Sequence, residues 1–167
     1  MHKLRTNTAI ATAGLLLGGL AIAAPATAVE SAAAATQTVT ATYDCGPYGT
    51  TDLTIEASAD NGVGSVRIST SGGLAPADIP ADSISATLRL ERSVGGTVAF
   101  SGTANDAAKA GQPVTIGPLT GVVSAGDSLD SYIPAAGSAE ASLSLNVLGA
   151  ANTCDAVSKQ IPGPIVF

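Results

Sequence analysis

The sequence predicts an all-β fold, an antiparallel β-sandwich of Greek-key or immunoglobulin-like type with about 7–9 strands, preceded by a signal peptide. Three observations carry this expectation. Apolar and polar residues alternate with period two over several short stretches, turn-forming residues separate those stretches, and no stretch carries a sustained helical stripe. Strands at regular spacing, with no helix long enough to make a parallel crossover, pack as antiparallel sheets.

The chain opens with a basic start (His2, Lys3, Arg5), an apolar stretch from Ala9 to Ala24 and a small-residue close at Ala26-Thr27-Ala28. This is the pattern of a secretory signal peptide over residues 1–28, cleaved between Ala28 and Val29. Gly14, Gly18 and Gly19 interrupt the apolar stretch, which falls short of the roughly 20 residues that cross a bilayer, so a retained anchor is disfavoured. Residues 29–35 are Ala-rich, too short and uncapped to hold a helix in water, and are expected to form a flexible lead-in. A single domain then occupies residues 36–167.

Within that domain, Val39, Ala41 and Tyr43 alternate with threonines in the first stretch, and Leu53, Ile55 and Ala57 alternate with Asp52, Thr54 and Glu56 in the second. Asp60-Asn61-Gly62 supplies the positive φ angles of a tight hairpin turn into Val63 to Ser69. Pro76 and Pro80 mark a longer connection. Ser83 to Glu91 turns Ile84, Ala86, Leu88 and Leu90 to one face, and Gly95-Gly96 makes the turn into Thr97 to Ser101. Residues Asn105 to Ala110 allow one helical turn, with Asp106 near its start. Val114 to Ile116 and Leu119 to Val123 are short strand candidates. In Ala139 to Val147, Ala141, Leu143, Leu145 and Val147 oppose Glu140, Ser142, Ser144 and Asn146, and Ile165 to Phe167 is a terminal candidate.

Cys45 and Cys154 are the chain's 2 cysteines. In an exported protein such a pair is expected to form a disulfide, tying the first strand to the last. Closing a loop of about 100 residues stabilises by about 4–5 kcal/mol on a chain-entropy estimate. Two thiolates without histidine are too few for a structural zinc site.

Cleavage changes the chemical inventory. His2 and Met1 leave with the leader, so the mature chain has no His, Met or Trp. Imidazole-dependent nucleophilic triads and histidine metal ligands are therefore excluded by composition. Of 7 basic and 13 acidic residues, Lys3 and Arg5 are lost, leaving 5 against 13 and a net charge of −8. Such a surface repels phosphate backbones and anionic lipid, so neither nucleic acid nor membrane is expected as a partner once the leader is gone.

Carboxylates are what remains for catalysis or metal binding. Asp127 with Asp130, Asp78 with Asp82, and Asn105 with Asp106 are the paired candidates, all in expected loops or at strand ends. A glycosidase needs two carboxylates about 5–10 Å apart across a cleft, which spacing in sequence does not provide. Asp127-Ser128-Leu129-Asp130 offers oxygen ligands but lacks the acidic run and distal Glu of a calcium loop, so no metal or other cofactor is expected. With 3 Tyr, 2 Phe and no Trp, there is little material for a stacking platform. Tyr48, in the turn Gly46-Pro47-Tyr48-Gly49, is the best candidate for an exposed aromatic, and a loop aromatic folded back over the disulfide is the equal alternative. Tyr48, Asp127 and Asp130 form the candidate surface site.

Tyr43-Asp44-Cys45 closing the first mature stretch, Phe100-Ser101-Gly102-Thr103 in mid-chain and Cys154 near the end give the chain a resemblance. With its Ala/Thr/Ser/Val-rich strands, it resembles the small secreted β-sandwich proteins of unknown function abundant in actinobacteria. The resemblance implies fold and location, and carries no catalytic or ligand-binding residues. The expected role is thus a secreted or cell-envelope-associated, non-catalytic module. It would contact a cell-wall component or a secreted protein through its loops. A carboxylate-dependent carbohydrate-active enzyme or carbohydrate-binding module is the second reading, and a secreted protease inhibitor the third.

Overall fold

A computed structural model describes residues 35–167. The expected leader, the expected cleavage site at Ala28 and Val29, and all but the last residue of the expected lead-in lie outside the described residues.

Ten strands follow in order: β1 (Gln37–Asp44), β2 (Thr50–Asp60), β3 (Val63–Leu74), β4 (Ile84–Arg92), β5 (Thr97–Thr103), β6 (Pro113–Val122), β7 (Ser128–Ser131), β8 (Leu143–Val147), β9 (Ala150–Ala156) and β10 (Ile165–Val166). Among the described residues there is no α-helix, only a 3-10 turn at Gly46–Tyr48. Every strand pairing is antiparallel.

The sheet runs β4-β5-β6-β3-β2-β1-β9-β8, and β8 pairs back onto β4, so eight strands close into a barrel. The pairing is that of a barrel rather than of two open sheets, which corrects the sandwich expected from sequence. Alternation reveals which side chains face inward, whereas closure depends on β8 finding β4, a pairing that leaves no periodic trace. One edge of β4 serves two partners, with Ile84 to Leu88 facing β8 and Leu90 to Arg92 facing β7. The short β10 extends the sheet beyond β7.

Eight strands enclose a space that side chains alone can fill. Here Ile55, Val66, Ile68, Leu88, Leu90, Phe100, Leu119 and Leu143 fill it, all essentially inaccessible to solvent. Phe100 needs room that two glycines provide. Gly64 and Gly121 face each other across β3 and β6. A Cβ on Gly64 would lie 2.8 Å from Phe100 Cε1, and one on Gly121 would lie 2.7 Å from the Ala99 carbonyl oxygen. Phe167 stacks on the same ring, with centroids 6.0 Å apart.

Most expected strands form. Ile84, Ala86, Leu88 and Leu90 are all buried, and Asn61 and Gly62 take φ of 49° and 80° in a two-residue hairpin turn. Three expectations need correction. The expected helical turn over Asn105 to Ala110 does not form, because Asn105 bridges Ile116 and Ala108 bridges Ile79 instead. The two candidates on either side of Gly117-Pro118 are one strand, β6. In the Ala139 to Val147 stretch only Leu143–Val147 is strand, and Ser142, expected to face solvent, is fully buried. Its hydroxyl donates to the Tyr132 carbonyl at 2.6 Å and accepts from the Ala156 N–H at 2.9 Å. Backbone partners thus satisfy the inward serine, while Leu145 and Val147 sit half-buried at the margin of the core.

The Cys45–Cys154 disulfide forms, joining the residue after β1 to β9, the next-to-last strand.

Candidate functional site

Two surface clefts lie along β4. The first, about 310 Å³, sits where β4 meets β7 and is lined by Glu91, Arg92, Ser128, Asp130, Lys159 and Pro164. Period two places Glu91 outward between buried Leu90 and half-buried Arg92, and the β4–β7 register sets it opposite Asp130. The segment after β9 brings Lys159 over this pair. Its Nζ lies 3.0 Å from Glu91 Oε2 and donates to the Ser131 carbonyl at 3.0 Å.

The carboxylates of this cleft already have structural partners. Asp130 Oδ1 accepts from the N–H groups of Ser131 at 2.7 Å and Gln160 at 2.8 Å, holding the post-β9 segment against β7. Asp127 Oδ2 accepts from the Ser124 N–H at 2.9 Å and pairs with Arg92 Nε at 3.4 Å. Both members of the Lys159–Glu91 pair are about half exposed, where such contacts add little stability.

Behind the cleft, Tyr43, Ser131 and Gln160 turn polar atoms into the interior. Tyr43 Oη lies against Ser131 Oγ in a geometry that satisfies neither group. Burial pushes the Tyr43 phenol up to about 12, with the Ser131 hydroxyl opposing the rise and the Asp130 charge adding to it.

The second cleft, about 430 Å³, is a shallow groove on the outer wall across β5, β4 and β8, lined by Ser85, Thr87, Ser101, Thr103, Ser144 and Asn146. Its hydroxyls are ordered in pairs. Ser85 Oγ lies 2.9 Å from Thr103 Oγ1, and Thr87 Oγ1 lies 2.9 Å from Ser101 Oγ. The strand register continues this arrangement well past the groove. Ser58 pairs with Ser65, Ser65 with Thr120, Thr120 with Ser101, Ser101 with Thr87, Thr87 with Ser144, and Ser144 with Thr153. An unbroken row of outward hydroxyls therefore crosses seven of the eight barrel strands. Ser and Thr suit this place locally, since cross-strand hydroxyl pairs contribute about 0.2–1 kcal/mol each.

Of the candidate residues, Asp130 lines the charged cleft and Asp127 reaches it through Arg92. Tyr48 lines neither cleft, and its ring stands exposed on the 3-10 turn after Cys45. The other pairs separate. Asp78 is bound by Lys109 Nζ at 2.7 Å and by the Ala110 N–H, which together hold its carboxyl below the usual range. Asp82 takes a positive φ of 53°. Asp106 pairs at the surface with Arg67, whereas Asn105 is buried and structural. Among the described residues, no group of three or more His, Cys, Asp or Glu is placed to hold a metal ion. No helix of the described residues is long and apolar enough to cross a membrane. Sequence reasoning missed Glu91, Lys159 and the hydroxyl row. The polar half of each alternating stretch was visible, but aligning seven such halves required the register.

No family model matches the chain, and neither curated proteins nor solved structures give a significant match.

Proposed function

We propose that this chain is an exported, non-catalytic binding module whose barrel wall holds a polyhydroxylated polymer of the cell envelope. The observation that carries this reading is the hydroxyl row across seven strands. It is an uncharged array of donors and acceptors, fixed by the barrel, on a domain with few aromatic rings. Each hydroxyl contact exchanges with water and gains little alone. A repeating polymer engages many such contacts at once, and effective concentration then multiplies weak sites. The contact surface is the barrel wall rather than the loops. The non-catalytic part rests on the charged cleft, whose Asp127 and Asp130 are engaged by backbone N–H groups and Arg92. Export rests on the leader pattern, and the disulfide is compatible with an oxidising compartment.

Co-sedimentation of the mature chain with insoluble cell-wall polysaccharide tests the reading. Wild type is expected in the pellet. Thr87→Glu and Ser101→Glu, which set charges into the row, are expected to stay in the supernatant, and Thr38→Glu on another part of the wall is expected to behave as wild type. A wild-type chain that never pellets refutes the polymer. Hydrolytic turnover that disappears in Asp130→Asn, with the fold intact by circular dichroism, refutes the non-catalytic part and favours a carboxylate-dependent enzyme.

A further inference from the structure

We infer that the barrel interior contains a binding site for one water molecule, held between Tyr43 Oη, Ser131 Oγ and Gln160 Nε2. These are the three buried side-chain atoms without a hydrogen-bond partner among the described residues. Each belongs to a side chain more than nine-tenths buried, with Tyr43 and Ser131 at 0% exposure and Gln160 at 5%. Buried polar atoms are almost always paired, and three exceptions in one region call for a shared partner.

The surrounding bonds draw the three together. Tyr43 Oη is against Ser131 Oγ. Asp130 Oδ1 clasps the backbone N–H groups of Ser131 and Gln160, which fixes the two segments side by side. Gln160 Oε1 accepts from the Ile165 N–H at 3.2 Å, and Ile165 pairs with Leu129, two residues before Ser131. That bond orients the amide and leaves Nε2 as the unpaired donor.

The chemistry matches water. The phenol and the serine hydroxyl can each donate or accept, and the amide nitrogen only donates. A water accepts from Nε2, accepts from one hydroxyl and donates to the other, meeting the two to four polar contacts that internal waters make. A cation is a poor fit, since the amide presents hydrogen atoms. An anion is disfavoured by the Asp130 carboxylate beside the phenol. Lys159 and Asp130, the chain neighbours of Gln160 and Ser131, line the charged cleft on the outer side of the same two segments.

Oxygen-17 magnetic relaxation dispersion counts waters that stay bound longer than the protein tumbles. The wild-type protein is expected to show one more long-lived water than Ser131→Val, whose added methyl groups occupy the place and remove the hydroxyl. An equal dispersion amplitude in the two folded proteins overturns the inference. If Ser131→Val does not fold, a wild-type crystal structure at a resolution that resolves ordered water decides. Density within hydrogen-bond distance of all three atoms supports the site, and a direct Tyr43–Ser131 bond with no such density overturns it.

Discussion

Replacing Asn105 with Ala removes a side chain that makes four hydrogen bonds to backbone groups. Its Oδ1 accepts from the N–H groups of Ser83 and Ile84, both at 2.8 Å. Its Nδ2 donates to the carbonyls of Pro80 and Asp106, also both at 2.8 Å. Four backbone groups therefore depend on one residue that is 3% exposed. The Ile84 N–H opens β4 in the interior and has no route to water, so orphaning it costs about 1–3 kcal/mol. The other three groups lie nearer solvent, and each loses a net bond of about 0.5–1.5 kcal/mol, partly recovered by water. The expected total is about 3–5 kcal/mol. Urea denaturation followed by far-ultraviolet circular dichroism measures it. Asn105→Asp sharpens the test, because the charged carboxylate keeps the acceptor but faces two carbonyls where a donor is needed. Its folded-state pKa is raised, so its stability is retained below the ordinary Asp range near 4 and lost as pH rises above it. A cost under about 1 kcal/mol for Asn105→Ala would refute the reasoning, as would an Asn105→Asp protein no more stable in acid than at neutral pH.

The Tyr43 phenol makes the fold sensitive to alkali. Unfolded Tyr ionises near 10 and the folded residue near 12, so stability is intact below pH 10 and falls as pH rises between those values. At a pH of about 11.5 the loss is about 2 kcal/mol, measurable as a drop in urea midpoint that Tyr43→Phe does not share. Gly121→Ala places a Cβ against the Ala99 carbonyl oxygen and the Phe100 ring, and is expected to cost about 1–3 kcal/mol in the same assay. Leu148, exposed and at a φ of 51° in the β8–β9 turn, is the opposite case. Leu148→Gly relieves a left-handed strain of about 1–2 kcal/mol and is expected to raise the thermal midpoint despite glycine's greater chain entropy.

What the sequence discloses here follows from how each element is stabilised. β4 was legible because Ile84, Leu88 and Leu90, with the small Ala86 between them, alternate with polar residues on a strand whose inner face is wholly buried. β9 was not, since AANTCDA buries only Cys154 and Ala156 and offers no alternation of bulk. β7 has four residues and one large apolar side chain. Ser142 was assigned to the wrong environment because its partners, Tyr132 and Ala156, come from other segments. The candidate site divides in the same way. Asp130 and Asp127 could be named from their spacing, while Glu91 and Lys159 join them only through the pairing of β4 with β7 and the fold of the segment after β9.

From the shared edge of β4 we expect a particular order of assembly. β1, β2 and β3 form a meander of near neighbours, and β4 and β5 form a local hairpin. The β8–β9 hairpin then fits between β4 and β1, pairing Ile84 with Val147 on one side and Tyr43 with Ala156 on the other. Those contacts join residues far apart in sequence, and folding slows as such contacts come to dominate. Until this late hairpin arrives, β1 and β4 present unpaired edges that invite other chains. The Leu148–Gly149 turn, which closes this hairpin beside the outer-wall groove through the Gly149 N–H to Asn146 Oδ1 bond, is thereby expected to set how long the nascent molecule stays adhesive.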